Sequence, residues 1–130
     1  MNPIVRHLIV CEGIQAGSRP ERFTLVQVIT NIHPTDAEHF PLFCRELCIM
    51  AICTECRGRG IVQLQVVDEE TGDVCRESPK WLVAFANEPL RIIGFPFRLG
   101  KIKFPQPSVY MVQLLYNGDG IAEEPLRVAE

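Results

Sequence analysis

The stretch Phe104-Pro-Gln-Pro-Ser-Val-Tyr-Met-Val-Gln-Leu-Leu-Tyr-Asn-Gly118 decides the fold class of this chain. Two prolines end whatever precedes them, because proline has no N–H to give to a ladder. Tyr110, Val112, Leu114 and Tyr116 then alternate with Gln113, which places the four apolar-bodied residues on one face of a strand. Asn117-Gly118 is the residue pair that a two-residue hairpin turn demands, since both central positions need positive φ. The stretch therefore announces an antiparallel β-sheet.

Outward from it the same grammar repeats. Residues 4–12, 22–32, 46–54, 60–68, 74–77, 80–85, 90–99, 109–116 and 121–128 read as strands bounded by glycine, proline or acidic turns. No segment holds a helical period for ten to twelve residues. The expectation is a single all-β domain over residues 1–130, an antiparallel β-sandwich of eight or nine strands with a Greek-key, C2-like or immunoglobulin-like arrangement. Alternation places Val62, Leu64 and Val66 in the core with Gln63 and Gln65 outside, and it adds Trp81, Val83 and Phe85 from the next long strand. Asp68 to Asp73, with Gly72 free to take positive φ, reads as a hairpin, and Arg57-Gly-Arg-Gly60 reads as another. His33 to Leu42 is the one long connection, expected to pass between sheets, and Asp36 to His39 has the composition of a short helical turn.

Composition narrows the function classes. The 130 residues suffice for one core without a disulfide or metal, and 47% apolar with 22% charged residues is an ordinary globular balance. A net charge of −3 argues against a general nucleic-acid binder. The first twelve residues have no basic start and no long apolar run, and no later stretch is apolar for the roughly 18 residues of a membrane helix. A cytoplasmic protein with reduced thiols is expected, with no membrane, nucleic-acid or small-molecule partner identified.

The turns and core positions also carry a resemblance. Asp68 to Gly72, Trp81 to Phe85, Gly94-Phe-Pro-Phe-Arg-Leu99, the Phe104 to Tyr110 segment, Tyr116-Asn-Gly and Glu124-Pro-Leu-Arg-Val128 together resemble a family of small uncharacterised bacterial β-sandwich proteins. The likeness covers most of the chain after about Asn31, and it implies a fold without implying an activity. Ser108 stands where a glycine is common in such turns.

Six cysteines are the sharpest chemical candidates. Cys44, Cys48, Cys53 and Cys56 fall within thirteen residues, with His33 and His39 before them, and tetrahedral zinc takes four such ligands. Equal parity puts Cys44 and Cys48 on one strand face but about 13 Å apart, so the sequence favours free cysteines over a metal centre. Cys53-x-x-Cys56 lacks the following helix that lowers the pKa of a redox pair. The acidic turn of Asp68, Glu69, Glu70 and Asp73 offers too few oxygens for calcium, and its carboxylates are expected in solvent. Arg57, Arg59, Arg98, Lys101 and Lys103, with Phe104 beside them, could make a nucleic-acid patch, although edge-strand cations are ordinarily solvating. No serine or cysteine lies on a glycine elbow, and no phosphate loop occurs. The sequence reading is a non-enzymatic binding or assembly module without cofactor, the alternative being a metalloprotein or enzyme using the region from His33 to Cys56. Apolar residues on both faces of segments 4–11 and 23–32 further suggest self-association, with Arg6 and His7 at the seam.

Overall fold

The computed structural model describes residues 2–34, 39–86 and 88–129, and these form ten strands and no helix. In chain order they are β1 (Ile4–Ala16), β2 (Phe23–Val28), β3 (Asn31–Ile32), β4 (Leu42–Thr54), β5 (Arg59–Asp68), β6 (Val74–Glu77), β7 (Trp81–Ala84), β8 (Ile93–Phe104), β9 (Ser108–Tyr116) and β10 (Asp119–Val128). One sheet has the order β2-β1-β4-β8, and the other runs β3-β10-β9-β5 with β6 and β7 sharing the far side of β5. All pairings are antiparallel except β10 with β3. The expected strand over 22–32 is two: the chain leaves the first sheet after Val28 and joins the second at Asn31.

Both sheets contribute to one core. Val62, Leu64 and Val66 of β5 and Tyr110, Val112, Leu114 and Tyr116 of β9 are buried against Leu47 and Ile49 of β4 and Phe97, Leu99, Ile102 and Phe104 of β8. The alternation in β9 thus faces the way its sequence predicts. Asn117 and Gly118 take φ of 52° and 85° and join Tyr116 to Asp119 in the two-residue turn. Asn117 also exchanges two hydrogen bonds with Ile61: its N–H donates to the Ile61 carbonyl at 2.8 Å, and its side-chain oxygen accepts the Ile61 N–H at 2.9 Å. The Asp68–Asp73 hairpin forms as expected, with Gly72 at φ 79°.

Three sequence expectations are corrected. Trp81, Val83 and Phe85 only half-bury against the core, because β7 is a four-residue edge segment paired with β5 alone. Trp81 still packs on Phe97 at 5.3 Å between ring centroids. The Arg57–Gly60 segment is no hairpin: β4 and β5 lie in different sheets, and this segment carries the chain between them. Gly60 is needed there because a Cβ would stand 2.1 Å from the Tyr116 ring. Finally, Cys44 and Cys48 do not share a face. Cys44 packs toward the inter-sheet core with Leu42, whereas Cys48 lies on the opposite side of β4. The inward set shifts by one residue between Cys44 and Leu47, and opposite it Lys101 takes φ 54° between inward Leu99 and Ile102. Both strands turn over together, so their register survives.

The edge formed by β6 and β7 is spliced at Ser78. Its N–H donates to the Leu64 carbonyl at 2.9 Å while its hydroxyl oxygen accepts the Leu64 N–H at 2.9 Å. The long connection does lead from the second sheet to the first, as expected; residues Asp36 to Glu38, where a helical turn was expected, lie outside the described residues.

Candidate functional site

β1 is shared between two partners. Ile4 to Cys11 pair with β4, and Cys11 to Ala16 pair with β2, so Cys11 is the point where the hairpin departs. Beyond it, β1 and β2 fold across the outer face of β4 and β8. Cys11, Ile14, Cys48 and Met50 form a second apolar cluster there, with Leu25 and Ile52 packed on it. Arg98 of β8 donates to the Ile14 carbonyl at 3.0 Å, and Arg91 pairs with Glu21 in the hairpin turn. Part of the two-faced apolar pattern of the first strands is therefore used inside the chain, through Cys11, Ile14 and Leu25, while Ile4, Phe23 and Val28 of the same segments stay exposed. At the bulge between Val5 and His7, Arg6 turns to the Thr54 hydroxyl at 3.0 Å.

Where the hairpin turn approaches the start of β8, the cover is incomplete. A cleft of about 310 Å3 remains, floored by Met50, Ile52 and Gly94 and walled by Phe23, Leu25 and Ile92. Glu21, held by Arg91, stands at its mouth. A Cβ on Gly94 would lie 3.3 Å from the Phe23 ring and 3.5 Å from the Met50 sulfur, so the missing side chain is what leaves the space open. The rim stays apolar in water: Ile92 is 61% exposed, Phe23 38% and neighbouring Leu90 89%. The volume is at the small end of ligand pockets, and its lining holds no nucleophile and no base except the paired Glu21.

The buried carboxylate lies elsewhere. Asp68, 2% exposed, accepts from the Ser108 hydroxyl at 2.7 Å, the Gln106 amide at 2.9 Å and the Glu70 N–H at 3.0 Å. Burial alone would raise its pKa; these donors and the Thr71 N–H outweigh burial and hold the carboxyl below its ordinary value. The expectation of a solvated acid is wrong for Asp68 and right for Glu69, Glu70 and Asp73, which are exposed. Ser108, in the turn that opens β9, thus supplies one of the donors. Beside it the Tyr110 hydroxyl donates to the Gln106 carbonyl at 2.5 Å, pinning the proline turn. Asp68 therefore ties the β5–β6 turn to the β8–β9 crossing, and with every oxygen engaged it is a structural group.

The zinc candidates are not brought together. Cys53 and Cys56 lie in the inter-sheet core, Cys44 packs against it, Cys48 is on the outer face, and His33 and His39 are exposed. Among the described residues no three His, Cys, Asp or Glu side chains converge as a metal site. Burial pushes the Cys53 thiol up to about 12, with Cys56 adding to the rise, and burial likewise raises Cys56. A thiolate nucleophile is thus disfavoured at this Cys-x-x-Cys. The basic patch loses its aromatic partner: Phe104 is fully buried, edge-on to Tyr110 at 4.8 Å. Arg57 is occupied by Glu55 at 3.3 Å. The apolar cleft was missed by sequence reading. Its only local signal is the exposed-looking run Pro89-Leu-Arg-Ile-Ile-Gly94, too apolar for a loop that merely connects.

Among the described residues no helix is long and apolar enough to cross a membrane. No protein-family model matches the chain, and no curated protein sequence matches it.

Proposed function

We propose that this chain is a non-enzymatic binding module, a Greek-key sandwich of C2-like or immunoglobulin-like kind, that seats an apolar side chain of a protein partner in the cleft between the β1–β2 hairpin and the start of β8. The observation that carries the reading is the pairing of an apolar concavity with an exposed apolar rim at Phe23, Leu90 and Ile92. An apolar anchor entering a pocket of this size is the usual centre of a protein interface, with a polar rim fixing its orientation. Glu21 and Arg91 stand where such a rim is needed. Reactive groups offer no rival site: every buried side-chain polar atom among the described residues has a hydrogen-bond partner, and the thiols whose pKa departs from the ordinary value are all raised. The six free thiols support work in the cytoplasm.

Site-specific photocrosslinking tests the reading. A crosslinker at Ile92 should yield a discrete adduct in cells that disappears with Phe23→Asp, while the same group at Ile61 should yield none. Equal labelling from both positions, or none from Ile92, overturns it. Light scattering separates the assembly form from other partners, because a mass that stays near 14.7 kDa across a concentration series assigns the adduct to a different protein.

A further inference from the structure

Of the six cysteines, two face each other. Cys11 and Cys48 are register partners across β1 and β4, both fully buried in the outer cluster. Directly opposed residues of an antiparallel pair have Cα atoms about 4.5 to 5.5 Å apart. A disulfide spans about 4.4 to 6.8 Å between Cα atoms, so the backbone already provides the separation. The other strand cysteines lack this arrangement: Cys44 stands opposite Ile102, Cys53 opposite Val5 and Ile93, and Cys75 falls at the register shift between β5 and β6 with no cysteine opposite. In the reduced state the Cys11 thiol donates to the Gly13 carbonyl at 3.4 Å.

We propose that Cys11 and Cys48 form a reversible dithiol–disulfide site, oxidised by a low-molecular-weight disulfide of the glutathione type. One thiolate attacks a sulfur of the oxidised glutathione and expels one glutathione thiolate, leaving a mixed disulfide. The second protein thiolate attacks the protein sulfur of that bond and expels the other. Two protein thiols give up two electrons and two protons, and one oxidised glutathione becomes two reduced molecules.

Access is through a thin cover. The Cys48 thiol donates to the Glu46 carboxylate at 3.6 Å, and that carboxylate lies 3.9 Å from Arg98, whose guanidinium also reaches the Ile14 carbonyl. The Glu46 and Arg98 side chains are 51% and 60% exposed, and so solvent-exposed an ion pair is weak enough for thermal motion to open it readily. Burial raises the Cys48 pKa, and the hydrogen bond and charge of Glu46 raise it further, with Arg98 opposing. Oxidation is therefore slow at neutral pH and accelerates as pH rises. Because Cys11 is the last residue of β1 on β4 and the first on β2, the bond staples the root of the hairpin that walls the cleft. This inference is independent of what the cleft binds.

The test is oxidation of the folded protein at pH 8 in glutathione buffers of rising disulfide-to-thiol ratio, followed by alkylation and peptide mapping. The expected result is a fall from six free thiols to four in one step, a single Cys11–Cys48 peptide pair, and full reversal by a dithiol reductant. Glu46→Gln should speed the step several-fold, since it removes the negative charge that holds the Cys48 proton and leaves only a weaker, neutral amide acceptor; a pair that merely packs would show no such response. Cys48→Ser should keep five thiols or carry only a mixed disulfide. Six thiols persisting at every ratio, glutathione adducts without an internal bond, or a bond joining Cys53 to Cys56 overturns the proposal.

Discussion

The two faces of the β4–β8 pair make opposite use of similar residues. The inner face meets the second sheet through Phe97, Leu99, Ile102 and Phe104, each locked between side chains from both sheets. Among the described residues the outer face meets a hairpin of its own chain, through a cluster of four buried residues and a cleft that the hairpin fails to fill. Apolar content alone therefore does not make a core: what differs is whether the opposing surface is itself held by long-range pairing. The inner face is packed from both sides, and the outer face is where the open cleft and the opposed Cys11 and Cys48 lie.

Substitutions on each side can break this contrast. Leu64→Ala, fully buried on β5, should cost about 2 to 5 kcal/mol. An unchanged denaturation midpoint would place the core elsewhere. Asp68→Ala should follow at about 3 kcal/mol, because it leaves the Ser108, Gln106 and Glu70 donors without their acceptor. The pH dependence has a definite sign. The folded carboxyl lies below its unfolded value of about 3.9, so its contribution is complete above that pH and is lost as pH falls through the lower folded value. The variant should accordingly show a flatter acid limb than the parent in equilibrium unfolding from pH 5 to pH 2. Ile14→Ala, in the outer cluster, should cost about 2 kcal/mol, the low end for such a truncation, since the hairpin can settle onto the gap where the inner core cannot. A loss equal to that at Leu64 would erase the distinction between the faces. Ile92→Asp should change stability by no more than about 0.5 kcal/mol while abolishing crosslinking from a probe at Leu90.

Much of the inner face was legible from the sequence because alternation is local. Val62, Leu64 and Val66 declare their side within five residues, and Asn117-Gly118 carries its turn in two. That same alternation placed Asp68 inward in phase with Val66, a signal outweighed by the acidic company of Glu69 and Glu70. Its partners, 38 and 40 residues away, could not be read locally. The coordinated turnover at Arg45–Glu46 and Lys101 was likewise hidden, since lysine carries no signature of positive φ. The cleft was illegible for a different reason: it is made by a hairpin bending over a face, and no pattern in residues 11–28 says which surface that bend will meet.

Ser78 has a consequence for how this molecule keeps company with itself in concentrated solution. A long, regular outermost strand is a template on which further chains can grow into fibrils. Here the outer boundary of the second sheet is cut into two four-residue runs, with the serine hydroxyl substituting for a backbone acceptor and Pro79 withholding an N–H just beyond it. An incoming strand finds no continuous row to copy along that margin, so the interruption acts as a growth stop written into the middle of the sheet's border.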